Sequence, residues 1–361
     1  MQTFYSEDHR LHHANAELNN GQLMPCFEKP SRADMVLEQV KRTGLGPISG
    51  PQDFGLAPIK RVHSPDFVDF IQQAWERWSA LGREHDMLPL AWPPRRMPPR
   101  CPEDIDGQLG YYSFDAGAPL TAGSWQAIYS SAQVALSAQA HLCAGAKSAF
   151  ALCRPPGHHA GIDYMGGYCY LNNAAIAAQA MLDQGASKVA ILDVDFHHGN
   201  GTQDIFYQRP DVLFTSIHGD PRNEYPCFAG YADECGEGTG LGYNHNYPLP
   251  AGSDWSVWSQ ALRDALRQGA DFGRATLGQI AGFGADYLIV SLGVDTYMAD
   301  PISSFKLDSP DYLKMGELIA GLGLPTLFVM EGGYAVEEIG INAVNVLTAF
   351  DATVTTQGEA Q

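Results

Sequence analysis

Five short apolar segments, each followed directly by glycine, histidine or carboxylate residues, constrain the fold of this chain more than any other feature. Segments of this length and composition are typical of strands buried on both faces of a parallel sheet. The five are SAFALC (148–153), VAILDVD (189–195), VLFTSIH (212–218), YLIVSLGVD (287–295) and PTLFVMEGGY (325–334). Helical patterns occupy the sequence between or after them, at 172–185, 254–283, 310–321 and 337–350.

This alternation predicts an α/β fold in which helices cover both faces of a mostly parallel sheet. Asp254 is the expected N-cap of one helix, and Gly185 is the expected stop of another. The functional site of such a sheet lies beyond the carboxyl ends of its strands. Polar clusters stand at those ends here, namely CRPPGHH, DVDFHHGNG, SIHGD, GVDTY and EGGY.

The bulk composition excludes several classes of function. The 361 residues carry a formal charge of −19, which argues against a nucleic-acid partner and is compatible with cationic small molecules. The sequence has no run of about 18 apolar residues, so no membrane span is expected. Residues 1–10 lack the pattern of a secretory signal, so a cytoplasmic location is expected. Seven scattered cysteines without a CxxC pair predict neither a disulfide framework nor a cysteine-based zinc site.

The segment 88–123 interrupts the strand–helix rhythm with prolines, glycines and aromatic residues. A loop of this length in a compact domain is usually functional or disordered. Its aromatic residues argue against simple disorder. We therefore expect an ordered insertion with a functional role.

Asp195 and His197 end the second apolar segment, and Asp295 ends the fourth. Residues two apart in an extended chain point to the same side, so Asp195 and His197 can face one ion. Two aspartates and one histidine leave coordination positions open, which fits a catalytic divalent metal. The alternative is a polar network that caps the strand ends. Asp193 has the same parity but would crowd the metal, so we expect it to hold an imidazole instead.

His158 and His159 follow a rigid Arg-Pro-Pro-Gly turn, which would hold both imidazoles in place. They can serve as base and acid beside a metal-bound water, or both as ligands. Tyr334 follows two glycines and can donate its hydroxyl proton to a developing oxyanion. The alternative for Tyr334 is ordinary packing.

Five motifs in this order make the sequence resemble the zinc-dependent histone deacetylase/arginase-like superfamily: RPPGHH, GGYCYLNNAA, DVDFHHGNGTQDIF, SLGVDT and EGGY. The resemblance runs from FYSEDH near the start to the last helix. It is closest to the bacterial acetylpolyamine amidohydrolases, because of the insertion WPPRR…DIDGQLGYY and the segment GIDYMGGYCYLNN. It implies one domain over 1–361 with an eight-stranded, mostly parallel sheet.

The resemblance also implies roles for single residues. Asp195, His197 and Asp295 would bind Zn²⁺, His159 would be the main base and acid, and Asp193 would orient His158. Tyr334 would polarise the substrate carbonyl, and Asn200 stands where many relatives carry an aspartate that orients His159. Potassium would occupy two sites. The first would be formed by Asp193, Asp195, His197, Ser216 and Ile217, and the second by Phe206, Arg209, Val212 and Tyr243.

The substrate that the resemblance implies is a slender acetylated amine. Gly167, Tyr168 and Tyr225 would grip its aliphatic chain, and the 88–123 loop would pack across a homodimer and narrow the entrance. Asp106 and Asp115 in that loop are candidate partners for the distal ammonium. Gly117 departs from a glutamate of the relatives.

Three functions remain open from the sequence. The first is zinc-dependent deacetylation of acetylpolyamines such as N-acetylputrescine or N-acetylcadaverine, and the second is broad deacetylation of lysine in peptides or proteins. The third is a non-catalytic protein that senses polyamines.

Overall fold

The computed structural model describes residues 1–19, 21–266 and 280–359. Within these ranges the chain contains ten strands, eleven α-helices and two short 3-10 helices, Glu7–Leu11 and Gly238–Gly240. The strands are β1 (Gln2–Phe4), β2 (Glu17–Asn19), β3 (Gln22–Met24), β4 (Ile48–Ser49), β5 (Ser148–Ala151), β6 (Val189–Asp193), β7 (Val212–Gly219), β8 (Asn244–Leu249), β9 (Tyr287–Leu292) and β10 (Thr326–Met330). The helices are α1 (Ser31–Thr43), α2 (Ala57–Lys60), α3 (Pro65–Ser79), α4 (Ile105–Tyr111), α5 (Ser124–Cys143), α6 (Asn173–Asp183), α7 (Asn200–Phe206), α8 (Trp255–Leu266), α9 (Ile280–Phe283), α10 (Ser309–Ala320) and α11 (Ile339–Glu359).

Eight of the described strands form one sheet in the order β4-β1-β5-β10-β9-β6-β7-β8, and every neighbouring pair is parallel. The prediction of an α/β fold with an eight-stranded, mostly parallel sheet is therefore confirmed, and the sheet is parallel throughout. All five apolar segments became strands of this sheet. β2 and β3 form a separate antiparallel hairpin.

Alternate residues of the central strands face two different layers of helices. Val189 and Ile191 pack with residues of α3, α5 and α6. Ala190 and Leu192 pack with residues of α1, α8, α10 and α11 on the other face. Burial of one side chain such as Leu192 stabilises a fold by about 2 kcal/mol. This two-sided burial explains why the strands are continuous apolar runs.

The predicted helices agree with the structure where residues are described. Asp254 accepts hydrogen bonds from the amides of Ser256 at 3.0 Å and Val257 at 3.3 Å, as an N-cap does. Gly185 follows the end of α6 with a φ of +105°, which favours glycine. The helix predicted at 254–283 falls partly on 267–279, outside the described residues. The last helix continues past the predicted end at 350 to Glu359.

The 88–123 insertion contains regular structure as well as loop segments. Its base is closed by a bridge between Met87 and Leu120, and α4 lies inside it. Asp104 starts α4 by accepting hydrogen bonds from the two amides at 106 and 107. Tyr112 stacks on Phe70, with ring centroids 4.8 Å apart. The helix forms because a capping residue precedes residues that bury their side chains.

Two expectations from composition can also be compared with the structure. All seven cysteines carry free thiols, as their spacing predicts. Across the described helices, none combines the length and the apolar character that crossing a membrane requires.

Candidate active site

Three candidate metal ligands meet beyond the carboxyl ends of neighbouring strands β6 and β9. Asp195 and His197 follow β6, and Asp295 follows β9. One ligand atom from each lies within 4.8 Å of the others, and all three residues are buried. Nδ1 of His197 is 3.0 Å from Oδ2 of Asp295 and 3.4 Å from Oδ1 of Asp195. The structure brings this predicted triad together at one point.

The triad fits a divalent cation because its charges are otherwise uncompensated. Burial, followed by the neighbouring charge of Asp195, raises the pKa of Asp295 to about 8. Two buried carboxylates held this close repel each other, and a cation between them removes that repulsion. Two carboxylates and one imidazole are ligands that zinc accepts. The backbone amides of Gly332 and Phe196 orient the carboxylates of Asp195 and Asp295, at 2.8 and 2.7 Å.

The first imidazole of the tandem pair is held by Asp193. Nδ1 of His158 donates to Oδ2 of Asp193 at 3.0 Å, and Oδ1 of Asp193 accepts from the Asp195 amide at 3.1 Å. Burial disfavours the charged imidazole, but the carboxylates of Asp195 and Asp193 outweigh it and raise the pKa of His158 to about 10. The two carboxylates therefore favour the protonated form of the His158 imidazole.

The second imidazole has a different environment. Nδ1 of His159 donates to Oδ1 of Asn200 at 2.7 Å, and the two imidazole centroids of His158 and His159 are 4.0 Å apart. Burial, together with the positive charge of His158, lowers the pKa of His159 well below its usual range. A neutral imidazole beside a charged one is an arrangement that separates a base from an acid.

Tyr334 lies close to the triad on the turn between β10 and α11. It is buried, and its ring centroid lies 5.6 Å from that of Tyr168. The guanidinium of Arg32 lies 4.7 Å from the centre of the Tyr334 ring. Burial raises the pKa of the Tyr334 phenol well above its usual range, although Arg32 opposes this. The neutral phenol is therefore favoured, and its hydroxyl can donate a hydrogen bond.

These groups open into a cleft of about 760 Å³. His159, His197 and Tyr334 line its inner end, whereas His158 is not among its described lining residues. None of the described residues that line it is a lysine or an arginine, while Glu17, Asp115 and Glu224 contribute carboxylates. A cleft with this lining is suited to a cationic guest.

Two tyrosines form walls of the cleft, and each donates its hydroxyl to a carboxylate. Tyr168 donates to Oε1 of Glu17 at 3.0 Å, and Tyr225 donates to Oδ2 of Asp115 at 2.6 Å. The ring of Tyr225 lies edge-on to His159, with centroids 5.1 Å apart. Gly167, the third predicted contact, also lines the cleft. Gly167, Tyr168 and Tyr225 thus all line the cleft, and carboxylates fix the two tyrosine hydroxyls.

The insertion fixes the backbone of one wall. Tyr168 has a φ of +66°, which is rare for a residue with a side chain, and its amide donates to the Gly117 carbonyl at 2.9 Å. Asp115 accepts from the amides of Gly117 at 2.8 Å and Gly167 at 3.2 Å. A Cβ at Gly117 would lie 3.2 Å from the Asp115 carboxylate oxygens. The glycine therefore permits the close approach of these segments.

The structure corrects the prediction for the two acids of the insertion. Asp106 does not line the cleft; its two oxygens accept from Arg83 at 2.7 and 2.8 Å. Asp115 lines the cleft, but its oxygens are engaged by Tyr225 and by backbone amides. Burial raises the pKa of Asp115. The sequence could not reveal these partners, because Arg83 is far from Asp106 along the chain. Of the partners of Asp115, only Gly117 is near it in sequence.

The predicted potassium positions lie at the two ends of β7. Asp193 and Ser216 are directly paired across β6 and β7, and Ile217 follows Ser216 on the same strand. At the other end of β7, the Arg209 amide donates to the Phe206 carbonyl at 3.0 Å. The Tyr243 carbonyl accepts from the Phe214 amide at 2.9 Å, two residues after Val212. In the first set, Asp193 and Ser216 are neighbours across the sheet; in the second set, Phe206 and Arg209 are joined by one hydrogen bond.

Sequence reasoning missed a buried ionic network beside the site. Glu28 accepts from Arg32 at 2.8 Å and binds Arg154 through two hydrogen bonds of 2.8 Å. Glu331 accepts from the amides of Gly157 and His158 at 2.7 and 3.2 Å. These charges hold the turns that carry His158 and Tyr334. The available signal was that RPPGHH begins with the charged residue Arg154 and EGGY with Glu331.

Fold and site together define an α/β protein with a candidate metal-binding triad at the carboxyl ends of its strands, and comparison with known proteins gives its family. Residues 26–350 match the histone deacetylase domain. The chain belongs to the histone deacetylase family, and it is a hydrolase that acts on amide bonds.

Its relatives place it within one group of that family. It is 70% identical over 351 residues to acetylpolyamine amidohydrolase 2 of Pseudomonas aeruginosa. The aligned region covers 97% of this chain and 99% of the relative. Acetylpolyamine amidohydrolase 1 of the same organism is 64% identical over 353 residues, covering 97% and 99%. The crystal structure of acetylpolyamine aminohydrolase from Burkholderia pseudomallei has a TM-score of 0.90 at 40% identity, covering 98% of this chain and 99% of that one.

Proposed function

We propose that this protein is a zinc-dependent deacetylase of acetylated polyamines such as N-acetylputrescine and N-acetylcadaverine. The observation that carries the proposal is the acidic, tyrosine-walled cleft that ends at His159, Tyr334 and the Asp195–His197–Asp295 triad. The relatives named acetylpolyamine amidohydrolases support the same substrate class. Products of the reaction are acetate and the free amine.

The triad would hold the zinc ion, which supplies a Lewis acid and lowers the pKa of a bound water. His159 is neutral, and its Nδ1–H is fixed on Asn200, so Nε2 is free to take a proton from the attacking water. The Tyr334 hydroxyl donates to the substrate carbonyl oxygen as negative charge develops there. A protonated imidazole of the tandem pair then returns a proton to the leaving nitrogen, and the C–N bond breaks.

Charge in the cleft favours a small cationic substrate over a neutral one. Glu17, Asp115 and Glu224 place carboxyl groups in the cleft, and its described lining contains no lysine or arginine. The walls formed by Tyr168 and Tyr225 suit an aliphatic chain between the acetamide and the distal ammonium. Carboxylates attract that ammonium over the length of the cleft.

The proposal includes a homodimer and bound potassium. The 88–123 insertion exposes Leu90, Trp92 and Met97, of which Trp92 also lines the cleft. An exposed apolar surface of this kind is suited to a second copy of the chain. Potassium would bind beside Asp193 and Ser216 and at the other end of β7. A molar mass close to that of one chain in light scattering would reject the dimer. An equal melting temperature in potassium and sodium salts would reject the potassium sites.

The decisive experiment compares three acetamides on the purified, zinc-loaded protein. N-acetylputrescine should be hydrolysed with a higher kcat/KM than N-pentylacetamide, its neutral counterpart of similar length. It should also be hydrolysed faster than an acetyl-lysine peptide. Equal or reversed kcat/KM values against the peptide would replace the polyamine assignment by lysine deacetylation. Tight polyamine binding without any hydrolysis would indicate a sensing protein instead.

A further inference from the structure

The phenol of Tyr334 is carried by a turn that needs external support. Residues 331–338 connect β10 to α11, and the two residues before Tyr334 are glycines. Gly333 has a φ of +125°, a conformation that favours glycine. Because glycines leave a backbone many alternative conformations, the position of Tyr334 depends on what binds the turn.

The first half of the turn is held by groups already described. Arg32 donates to the carbonyls of Glu331 and Gly333, each at 2.6 Å. The Gly332 amide donates to Asp195, and the Gly332 carbonyl accepts from the Val294 amide at 3.1 Å. These contacts fix the carbonyls and the start of the turn, but they end before the amide of Tyr334.

Asp300 holds the second half. Its Oδ2 accepts from the Tyr334 amide at 2.7 Å and from the Ala335 amide at 3.3 Å. Its Oδ1 accepts from the Ile302 amide at 3.1 Å, and Ile302 lines the cleft. One buried carboxylate therefore ties the turn of Tyr334 to the loop after β9, which carries Asp295 and part of the cleft wall. Hydrogen bonds to a charged acceptor are about twice as strong as neutral ones.

We propose that Asp300 is a positioning residue for the reaction, acting through the backbone of Tyr334. The hydrogen bonds that its side chain accepts in the described residues come from the backbone amides of Ile302, Tyr334 and Ala335. Its carboxylate fixes the direction in which the Tyr334 side chain leaves the turn, and so the distance from the phenol to the substrate carbonyl. The inference rests on the proposed function, because it takes Tyr334 as the donor to that carbonyl.

The experiment uses Asp300→Ala, Asp300→Asn and a matched control, Asp311→Asn. Asp311 is as buried as Asp300, at 8% against 7% exposure, and it also accepts from a backbone amide, that of Asp308 at 2.9 Å. Asp300→Ala should lower kcat about tenfold or more, because a misplaced donor costs transition-state stabilisation. KM should stay within about threefold, since ground-state contacts in the cleft remain. Asp300→Asn keeps one acceptor oxygen and should recover part of kcat, and Asp311→Asn should resemble the parent.

Two further measurements separate positioning from general damage. In a Tyr334→Phe background, Asp300→Ala should lower the residual rate less than about twofold, because the two residues act as one unit. Amide hydrogen exchange of residues 331–336 should accelerate in Asp300→Ala and less in Asp300→Asn. If Asp300→Ala does not fold, Asp300→Asn is compared in the same two backgrounds.

An unchanged kcat in the folded Asp300 variants would overturn the inference, even if hydrogen exchange accelerates. So would an equal loss of rate in the Tyr334→Phe background, which would indicate a role independent of Tyr334. A parent protein that hydrolyses no acetamide would reject the proposed function. Hydrogen exchange would then still report whether Asp300 holds the turn, so the two failures are distinguishable.

Discussion

Nδ1 of His159 lies 2.7 Å from Oδ1 of Asn200, so a neutral amide orients the imidazole that faces the cleft. Its neighbour His158 is oriented by a carboxylate, that of Asp193. The pKa of His158 is raised and that of His159 is lowered, although the two imidazoles are adjacent in the chain. Burial and the charge of His158 lower the pKa of His159, and the hydrogen bond to Asn200 raises it, so residue 200 is one of the groups that tune the residue we assign as the general base.

Replacing Asn200 by aspartate should shift the pH dependence of the reaction. A carboxylate favours the imidazolium, so the pKa of His159 should rise by about one unit or more. Because the base must be neutral, the acidic limb of kcat/KM should move to higher pH by the same amount. Asn200→Ser keeps a neutral acceptor and should leave the limb in place. A limb that does not move in Asn200→Asp would show that His159 is not the titrating base.

His159→Ala and Tyr334→Phe should each nearly abolish turnover. We expect losses of about 10²-fold or more, as is usual for a general base or an oxyanion donor. Neither side chain belongs to the ligand triad, so the metal content measured by mass spectrometry should match that of the parent. Rates like those of the parent in either variant would refute the assigned role. Loss of metal together with activity would point to a ligand instead.

Removal of the metal should inactivate the protein and lower its thermal stability. Chelation restores the repulsion between Asp195 and Asp295, and a ligand that binds only the folded state stabilises it. Added Zn²⁺ should recover both activity and melting temperature. In an Asp295→Asn variant, the same addition should raise the melting temperature much less. An equal zinc-dependent rise in that variant would place the metal elsewhere.

The buried network of Glu28 should make the free energy of unfolding depend on pH in the acid range. Burial would raise the pKa of Glu28, but Arg154 and Arg32 outweigh it and lower the pKa from 4.5 to about 2. A lowered folded-state pKa means that this stabilisation is present above pH 4.5 and is lost as the pH falls towards 2. The contribution is on the order of 3 kcal/mol.

Urea unfolding of the parent at several pH values between 6 and about 2.5 would measure this dependence. Glu28→Gln should be less stable at pH 6, because it leaves two buried guanidiniums without their carboxylate. Its stability should also change less across the acid range than that of the parent. Parallel curves for the two proteins would contradict the role of Glu28 in acid unfolding.

Local sequence was sufficient to predict the centre of the sheet. Strands β5, β6, β7, β9 and β10 are buried on both faces, so each is a continuous apolar run that is visible in the sequence. The edge strands were not predicted. β4 has two residues, and β8 is a polar segment with a proline. Such strands form because a neighbour offers hydrogen bonds, which no local pattern shows.

The same distinction holds for the site. Asp195 and His197 share a face because of strand parity, and this was readable from their spacing. The partners that hold the site are far apart along the chain, as in the contacts from Arg32 to Gly333 and from Asp300 to Tyr334. The assignment of Asp106 failed for this reason, because its partner Arg83 is 23 residues away.

The sequence by itself determined the class of fold, the position of the polar clusters at the strand ends, and the residue types available for catalysis. These follow from periodicity and from backbone geometry, which act over a few residues. Only the tertiary structure decided which acids face the cleft and which are neutralised by arginines or amides. Those outcomes depend on long-range contacts, and a carboxylate has a different pKa and a different role according to the partner that the fold brings to it.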